Sequence, residues 1–150
     1  MKKIAPRQAA LDPCLCNEVK KLSRLLGRIY DAALAPTGIN ITQLSVLRVI
    51  ARLPNETMAH IAEALEMDRT TFYRAVAPML RDGWLKPLEG ADDRSKSVAL
   101  TTEGKRLLAQ AEKQRSAVQK QVVSAYGNAA SSALFADLEK LRATLTRESS

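Results

Sequence analysis

Arg69, Thr70, Tyr73 and Arg74 are the residues whose types and spacing most plainly offer chemistry. Their offsets of one, four and five place them on one face of a helix. Guanidinium groups bond guanine edges and phosphates, and threonine meets thymine methyls or phosphate oxygens, so such a face suits the major groove of double-stranded DNA. A second cationic set, Arg94 and Lys96, follows the turn-forming residues Gly90, Ala91, Asp92 and Asp93. Two thiols, Cys14 and Cys16, offer a different chemistry, because a thiolate in the first turn of a helix is a target for peroxides. They stand too close in sequence to bridge one another easily, and the chain has no other cysteine to pair with them, so no disulfide framework is expected. With one histidine, His60, and no second cysteine pair there is no four-ligand zinc set, and neither a metal nor a cofactor is expected. The sequence has no glycine-rich phosphate loop and no nucleophile motif, which argues against an enzyme.

These residues must be carried by a small, mostly helical protein. At 150 residues and 16.4 kDa the chain is one domain's worth of length. Its 46% hydrophobic and 26% charged residues are ordinary for a globular protein, and six Gly, six Pro and 4% aromatics are too few for an all-β one. No apolar run approaches the roughly 20 residues that span a bilayer, and the N-terminus lacks the apolar stretch of a secretory signal. No membrane partner and a cytoplasmic location are the expectation. The net charge of +7 makes nucleic acid a natural partner, but it is unevenly spread. Residues 1–53 carry +6, residues 54–93 carry −4 and residues 94–150 carry +5. If the acidic middle block reads DNA, its charges must be sorted by face.

Residues 1–11 read as a flexible basic tail and 12–150 as a single domain. Leu15, Val19, Leu22, Leu26, Ile29 and Ala33 are spaced four, three, four, three, four, an a/d seam that predicts a helix over about 13–35, closed by Pro36 and Gly38. That seam suits packing within the chain or against a second copy equally well. Thr42 is the expected N-cap of a second helix with Leu44, Leu47, Ile50 and Ala51 inward. Thr57 caps a short third helix and Asp68 a fourth, which turns Phe72, Val76, Met79 and Leu80 to the core and is interrupted in its bonding by Pro78. Trp84–Glu89 and Lys96–Leu100 predict a hairpin, with Pro87 confining one strand to an edge. Thr102 and Glu103 open a long fifth helix to about Tyr126, with Leu107, Ala111, Val118, Val122 and Ala125 as its stripe. A sixth helix carries Leu134, Leu138, Leu141 and Leu145, again spaced as a seam.

Two short helices joined by a tight turn, the second with a basic outer face, followed by a hairpin with a basic tip, make a winged helix-turn-helix over 42–101. The helices at 12–35 and 102–147 flank it, their seams suited to packing within the chain or to dimerisation. The DNA-reading set is Arg69, Thr70, Tyr73 and Arg74 on the helix, and Arg94 with Lys96 on the wing. Two other functions compete with a DNA-binding regulator. One is a winged helix used for protein contacts, which would show no salt-dependent DNA affinity. The other is a thiol-based peroxidase working through Cys14 and Cys16, which would turn over hydroperoxide.

The stretch from Thr42 to Leu85 and from Gly90 to Gly104 resembles the MarR family of bacterial transcriptional regulators. Asp92, Asp93 and Arg94, followed by Leu100 and Thr101, are similar to that family's D-x-R wing and closing L-T, and with the flanking helices the resemblance spans about residues 12–147. It implies a homodimer with interleaved terminal helices that acts on a pseudo-palindromic operator, most often as a repressor released by a small-molecule ligand or by cysteine oxidation. It also implies that Arg94 enters the minor groove and that Asp92 braces it. Cys16, followed by Ser23, Arg24 and Tyr30, is similar to the organic hydroperoxide sensors of the family, which assigns redox sensing to Cys16 and Tyr30. Ile41 stands where a second tyrosine of that pattern would be, and Cys14 has no counterpart role. Other branches take small aromatic ligands between the dimer helices and the reader. Arg24, Arg28, Arg48 and Arg52 would suit a carboxylate there, or serve as surface and dimer charges.

Overall fold

A computed structural model describes residues 13–88 and 96–148. Six helices and one hairpin follow in the order α1 (Leu15–Leu34), α2 (Ile41–Arg52), α3 (Met58–Ala64), α4 (Arg69–Arg81), β1 (Leu85–Leu88), β2 (Ser97–Leu100), α5 (Thr102–Tyr126) and α6 (Asn128–Glu148), with a 3-10 turn at Ala35–Thr37 after α1. None of the described helices is long and apolar enough to cross a membrane.

The core sits where α2, α3, α4 and the hairpin meet α1 and α5. Leu34, Leu44, Leu47, Ile61, Phe72, Val76 and Met79 are wholly or almost wholly buried, and Leu85, Val98, Leu107 and Ala111 close it from the wing and α5. The 3-10 turn at the end of α1 stops at Gly38, whose φ of +78° is open to glycine without strain. The strands pair antiparallel, Leu85 with Leu100 and Leu88 with Ser97. Pro87 stands opposite Val98 on β1, the edge strand, whose outer side has no ladder for its missing N–H to break.

Several local details depart from sequence expectation, each for a physical reason. The second helix is capped by Asn40 and not by Thr42. Asn40 Oδ1 accepts from the Gln43 amide at 2.8 Å while Gln43 Oε1 accepts from the Asn40 amide at 3.1 Å, a reciprocal box that satisfies two end donors at once. On that helix Val46 is buried and Ala51 is exposed, which widens the inward face by one row and turns it away from Ala51. Thr101 precedes the expected start of the fifth helix and caps it, its Oγ1 accepting from the Gly104 amide. Ala125 is exposed and Leu80 only half-buried, because the helix ends they occupy pass beyond the core. α4 runs without a break through Pro78.

Candidate nucleic-acid interface

α3, a tight turn and α4 are built by short-range bonds that the sequence supplies. Thr57 Oγ1 accepts from the His60 amide and starts α3. The turn closes with Glu66 at φ +51° and with the Met67 amide donating to the Ala62 carbonyl. Asp68 then caps α4. Its Oδ1 accepts from the Thr71 amide at 2.9 Å, and its Oδ2 accepts from the Thr71 hydroxyl at 2.5 Å. The hydroxyl bond first, and the backbone bond after it, hold the Asp68 carboxyl below its ordinary pKa, so the cap is an anion at the positive end of the helix dipole.

With Phe72, Val76 and Met79 buried, α4 has no rotational freedom, and the opposite face is fixed outward. Arg69, Thr70, Tyr73 and Arg74 are all exposed on it, beside Ala77 and Arg81. The Tyr73 ring is steadied edge-on against Phe72, with centroids 6.0 Å apart at 77°. Arg81 is paired with Asp82 at 3.1 Å, whereas Arg69 and Arg74 pair with no acid among the described residues. The face therefore presents two uncompensated guanidinium groups, a hydroxyl and an aromatic ring, which bond or cover anions and base edges.

The hairpin is held beside this helix pair. The Met58 amide donates to the Lys96 carbonyl at 2.9 Å, and Thr57 bridges Ser97. Lys96 is exposed where β2 begins. Asp92 and Arg94 lie outside the described residues. Behind the reader, Thr101 Oγ1 also donates to the Gly83 carbonyl, which ties the end of α4 to the start of α5.

The thiols and tyrosine assigned to sensing are not brought together within the chain. Cys14 is the N-cap of α1 and Cys16 its second residue, and both are exposed in the single chain. Tyr30 lies fourteen residues further along the same helix, about 21 Å away at 1.5 Å per residue. Its hydroxyl bonds the Gln119 side chain of α5. Burial raises the Tyr30 pKa, against an opposing pull from Arg115. Tyr30 stands at the edge of an apolar cavity of about 410 Å³ between α1, α5 and α6, walled by Leu22, Leu26, Val122, Phe135 and Leu138. Of the four arginines that would suit a carboxylate, Arg48 is already paired, with Glu112 at 2.6 Å.

α1 and α6 leave apolar seams uncovered. Leu15, Val19, Leu22, Leu25 and Ile29 on α1 are 39–60% exposed, and Tyr126, Phe135, Leu138 and Leu145 stand out in the same way at the other end of the chain. A chain that buried these within itself would not look like this.

A helix, tight turn and basic-faced helix followed by a two-stranded wing, flanked by helices with unpartnered apolar seams, define a winged helix-turn-helix protein. Residues 37–95 match the MarR family. The chain is 32% identical to the Mycobacterium tuberculosis transcriptional regulator MosR, crystallised in complex with DNA, with a TM-score of 0.80 over 90% of this chain and 98% of that one. It is 27% identical over 92 residues to the HTH-type transcriptional regulator YwoH of Bacillus subtilis, covering 61% of this chain and 67% of that protein. The Streptomyces coelicolor regulator PcaV, at 21% identity and a TM-score of 0.76 over 91% of this chain and 98% of that one, shares the fold. The chain belongs to the MarR family of transcriptional regulators.

Proposed function

We propose that the chain is a homodimeric, sequence-specific DNA-binding repressor whose α4 helices enter successive major grooves of a pseudo-palindromic operator. The observation that carries this is the outer face of α4, where Arg69, Thr70, Tyr73 and Arg74 are exposed and both arginines stand without an acid among the described residues. Two-fold symmetry places the half-sites about 34–36 Å apart, one helical turn. Lys96 adds a phosphate contact from the wing, and by family resemblance Arg94 enters the minor groove with Asp92 bracing it. The MosR complex with DNA supports the same use of the fold. The protein works in the cytoplasm and folds as one domain over 12–150, while residues 1–11, expected as a basic tail, lie outside the described residues. Its activity is regulation, not catalysis.

Release from DNA follows either a small aromatic ligand or oxidation of a thiol. The exposure of both Cys14 and Cys16 favours the second. An organic hydroperoxide would transfer its terminal oxygen to the Cys16 thiolate, leaving an alcohol and a sulfenate on the protein, which thiol reductants reverse. Tyr30 acts in that scheme only on a sulfur brought to it from a second copy, given its distance along α1 from Cys16 of its own chain.

The test is a fluorescence anisotropy titration of the DNA upstream of the protein's own gene, with random duplex as competitor, before and after an organic hydroperoxide. Salt-dependent binding that survives the competitor is expected, with release by peroxide and recovery with thiol. Binding equal on operator and random DNA would remove the sequence-specific reading. Binding indifferent to peroxide would turn the search to the aromatic ligand, and catalytic turnover of peroxide with added thiol would favour the peroxidase instead.

A further inference from the structure

Of the ion pairs described, most join near neighbours in sequence, but two span the boundary between the helix-turn-helix and the flanking helices. Arg142 of α6 reaches Glu66, in the turn before α4, at 3.5 Å with both side chains more than half exposed. Such a pair is long, solvated and of little energetic weight. Glu112 of α5 is placed differently. Its Oε1 forms an ion pair with Arg48 Nε of α2 at 2.6 Å, and its Oε2 accepts from Arg115 Nε, one turn along α5, at 2.7 Å. All three side chains are about two-thirds covered or more.

One carboxylate thus divides between two guanidinium groups. Arg115 pre-orients it from its own helix, and Arg48 is the group it captures from the reader. Without the carboxylate, two half-desolvated cations would face each other, so the arrangement strongly favours the seated position of α2. A hydrogen bond fixes the start of the same helix, because the Ile41 amide donates to Asp31 Oδ1 of α1 at 2.7 Å. Ile41 and Arg48 are seven residues apart, about 10 Å along the axis. Two points of attachment separated by two turns determine the direction of α2 as well as its position. α2 in turn packs on α4, so the direction of α2 relative to α5 sets where the reading face points. The apolar layer of Leu107 and Ala111 holds α5 against the core but does not select one angle in the way that two separated points of polar attachment do.

We infer that Glu112 is a positioning residue, which through Arg48 fixes the separation and tilt of the two α4 helices in the dimer and so makes the protein discriminate the spacing between half-sites. The inference rests on the DNA-binding reading above and deepens it.

Two measurements on the full-length dimer test it. In the first, the wild-type protein selects its preferred duplex from a random pool. Affinities are then measured for that duplex and for versions with one or two base pairs inserted at its centre. Glu112→Gln and Arg48→Gln should each lower by about tenfold the preference for the selected spacing. The double variant should do no more than either alone, and binding to random duplex and the mass in solution should stay as in wild type. An unchanged spacing preference overturns the inference even if overall affinity falls, since a merely structural role would weaken all duplexes alike. In the second, nitroxides are placed at Ala77→Cys on α4, in a Cys14→Ser, Cys16→Ser background, without DNA. Pulsed electron resonance should show a distance distribution that is narrow with Glu112 and broader or displaced with Glu112→Gln, and identical distributions overturn the inference. A wild-type protein that selects no duplex would fail the DNA-binding reading, while the distance distribution would still decide whether Glu112 holds the reading helices.

Discussion

At the scale of single residues, the reading face separates groups that select a sequence from groups that only add charge. Arg74 is unpaired among the described residues and lies near the middle of α4, where a helix in the major groove approaches base edges. Arg74→Ala is expected to reduce discrimination at one base pair by about 1–3 kcal/mol if the arginine holds a guanine. Competition titrations against single-base operator variants measure this, and an equal loss on random DNA would assign Arg74 to the phosphates. For Arg94, placed on the wing by family resemblance, the expectation concerns salt. Each phosphate neutralised contributes about −0.9 to the slope of log affinity against log salt, so Arg94→Ala should flatten the slope by about that much. A slope that does not move would take Arg94 out of the phosphate-contacting set. His60 reports on pH. Its Nδ1 lies 2.7 Å from Glu56 Oε2, and that bond first, then the charges of Glu56 and Glu63, raise its pKa above the ordinary value of about 6.5. Folding then takes up protons on His60, so its contribution is fully present below about pH 6.5 and is lost as pH rises through the raised value. His60→Gln should remove a small part of the pH dependence of the melting temperature in that window, and identical wild-type and variant profiles would show that the exposed pair contributes nothing.

At the scale of elements, the junction between the wing and α5 is the tightest point. A Cβ added to Gly104 would lie 2.0 Å from the Trp84 carbonyl oxygen, and that carbonyl is itself bonded to the Thr101 amide at 3.1 Å. Backbone cannot swing aside as a side-chain tip can, so Gly104→Ala is expected to cost about 1–3 kcal/mol, read as a fall in denaturant midpoint. A wild-type midpoint would mean that α5 shifts away from the hairpin freely. This contact marks the limit of what the sequence makes legible. Periodicity and caps revealed each helix and the hairpin, because a four-three spacing or an Asp before a basic-faced helix acts over a few residues. Asn40 and Thr42 are both good caps, and only the Gln43 side chain, reaching back to the Asn40 amide, decides between them. Gly104 carries no local signal, since nothing near it in sequence requires glycine. The Arg48–Glu112 pair joins residues 64 positions apart, a separation that no helical period encodes.

At the scale of the whole molecule, charge and apolar surface are each sorted by face. Block 54–93 is net acidic, yet Glu63 and Glu66 stand on α3 and the turn and Asp82 pairs with Arg81, while Arg69 and Arg74 on α4 pair with no acid among the described residues, so the acids do not cancel the reading face. The apolar seams of α1 and α6 stand uncovered among the described residues, and their occupant follows from their form. Both seams belong to the terminal helices, both are long, and a two-fold axis would let each seam of one copy meet its counterpart in another. Withdrawing a leucine from such an interface costs about 1.5–3 kcal/mol, counted twice because the two-fold axis repeats it. Leu22→Glu with Leu138→Glu should therefore reduce the mass in solution from two chains to one while the helical circular dichroism persists, because the core around Phe72 and Leu47 lies elsewhere. A single copy reaches one half-site only, so operator affinity should fall by far more than tenfold and the preference for a palindrome should vanish. Light scattering with an anisotropy titration checks both. A variant that stays a dimer and binds as before would show that the seams are covered by something other than a second copy. A monomer that keeps full operator affinity would mean that one reading face suffices and that the two-fold geometry is not how the sequence is read.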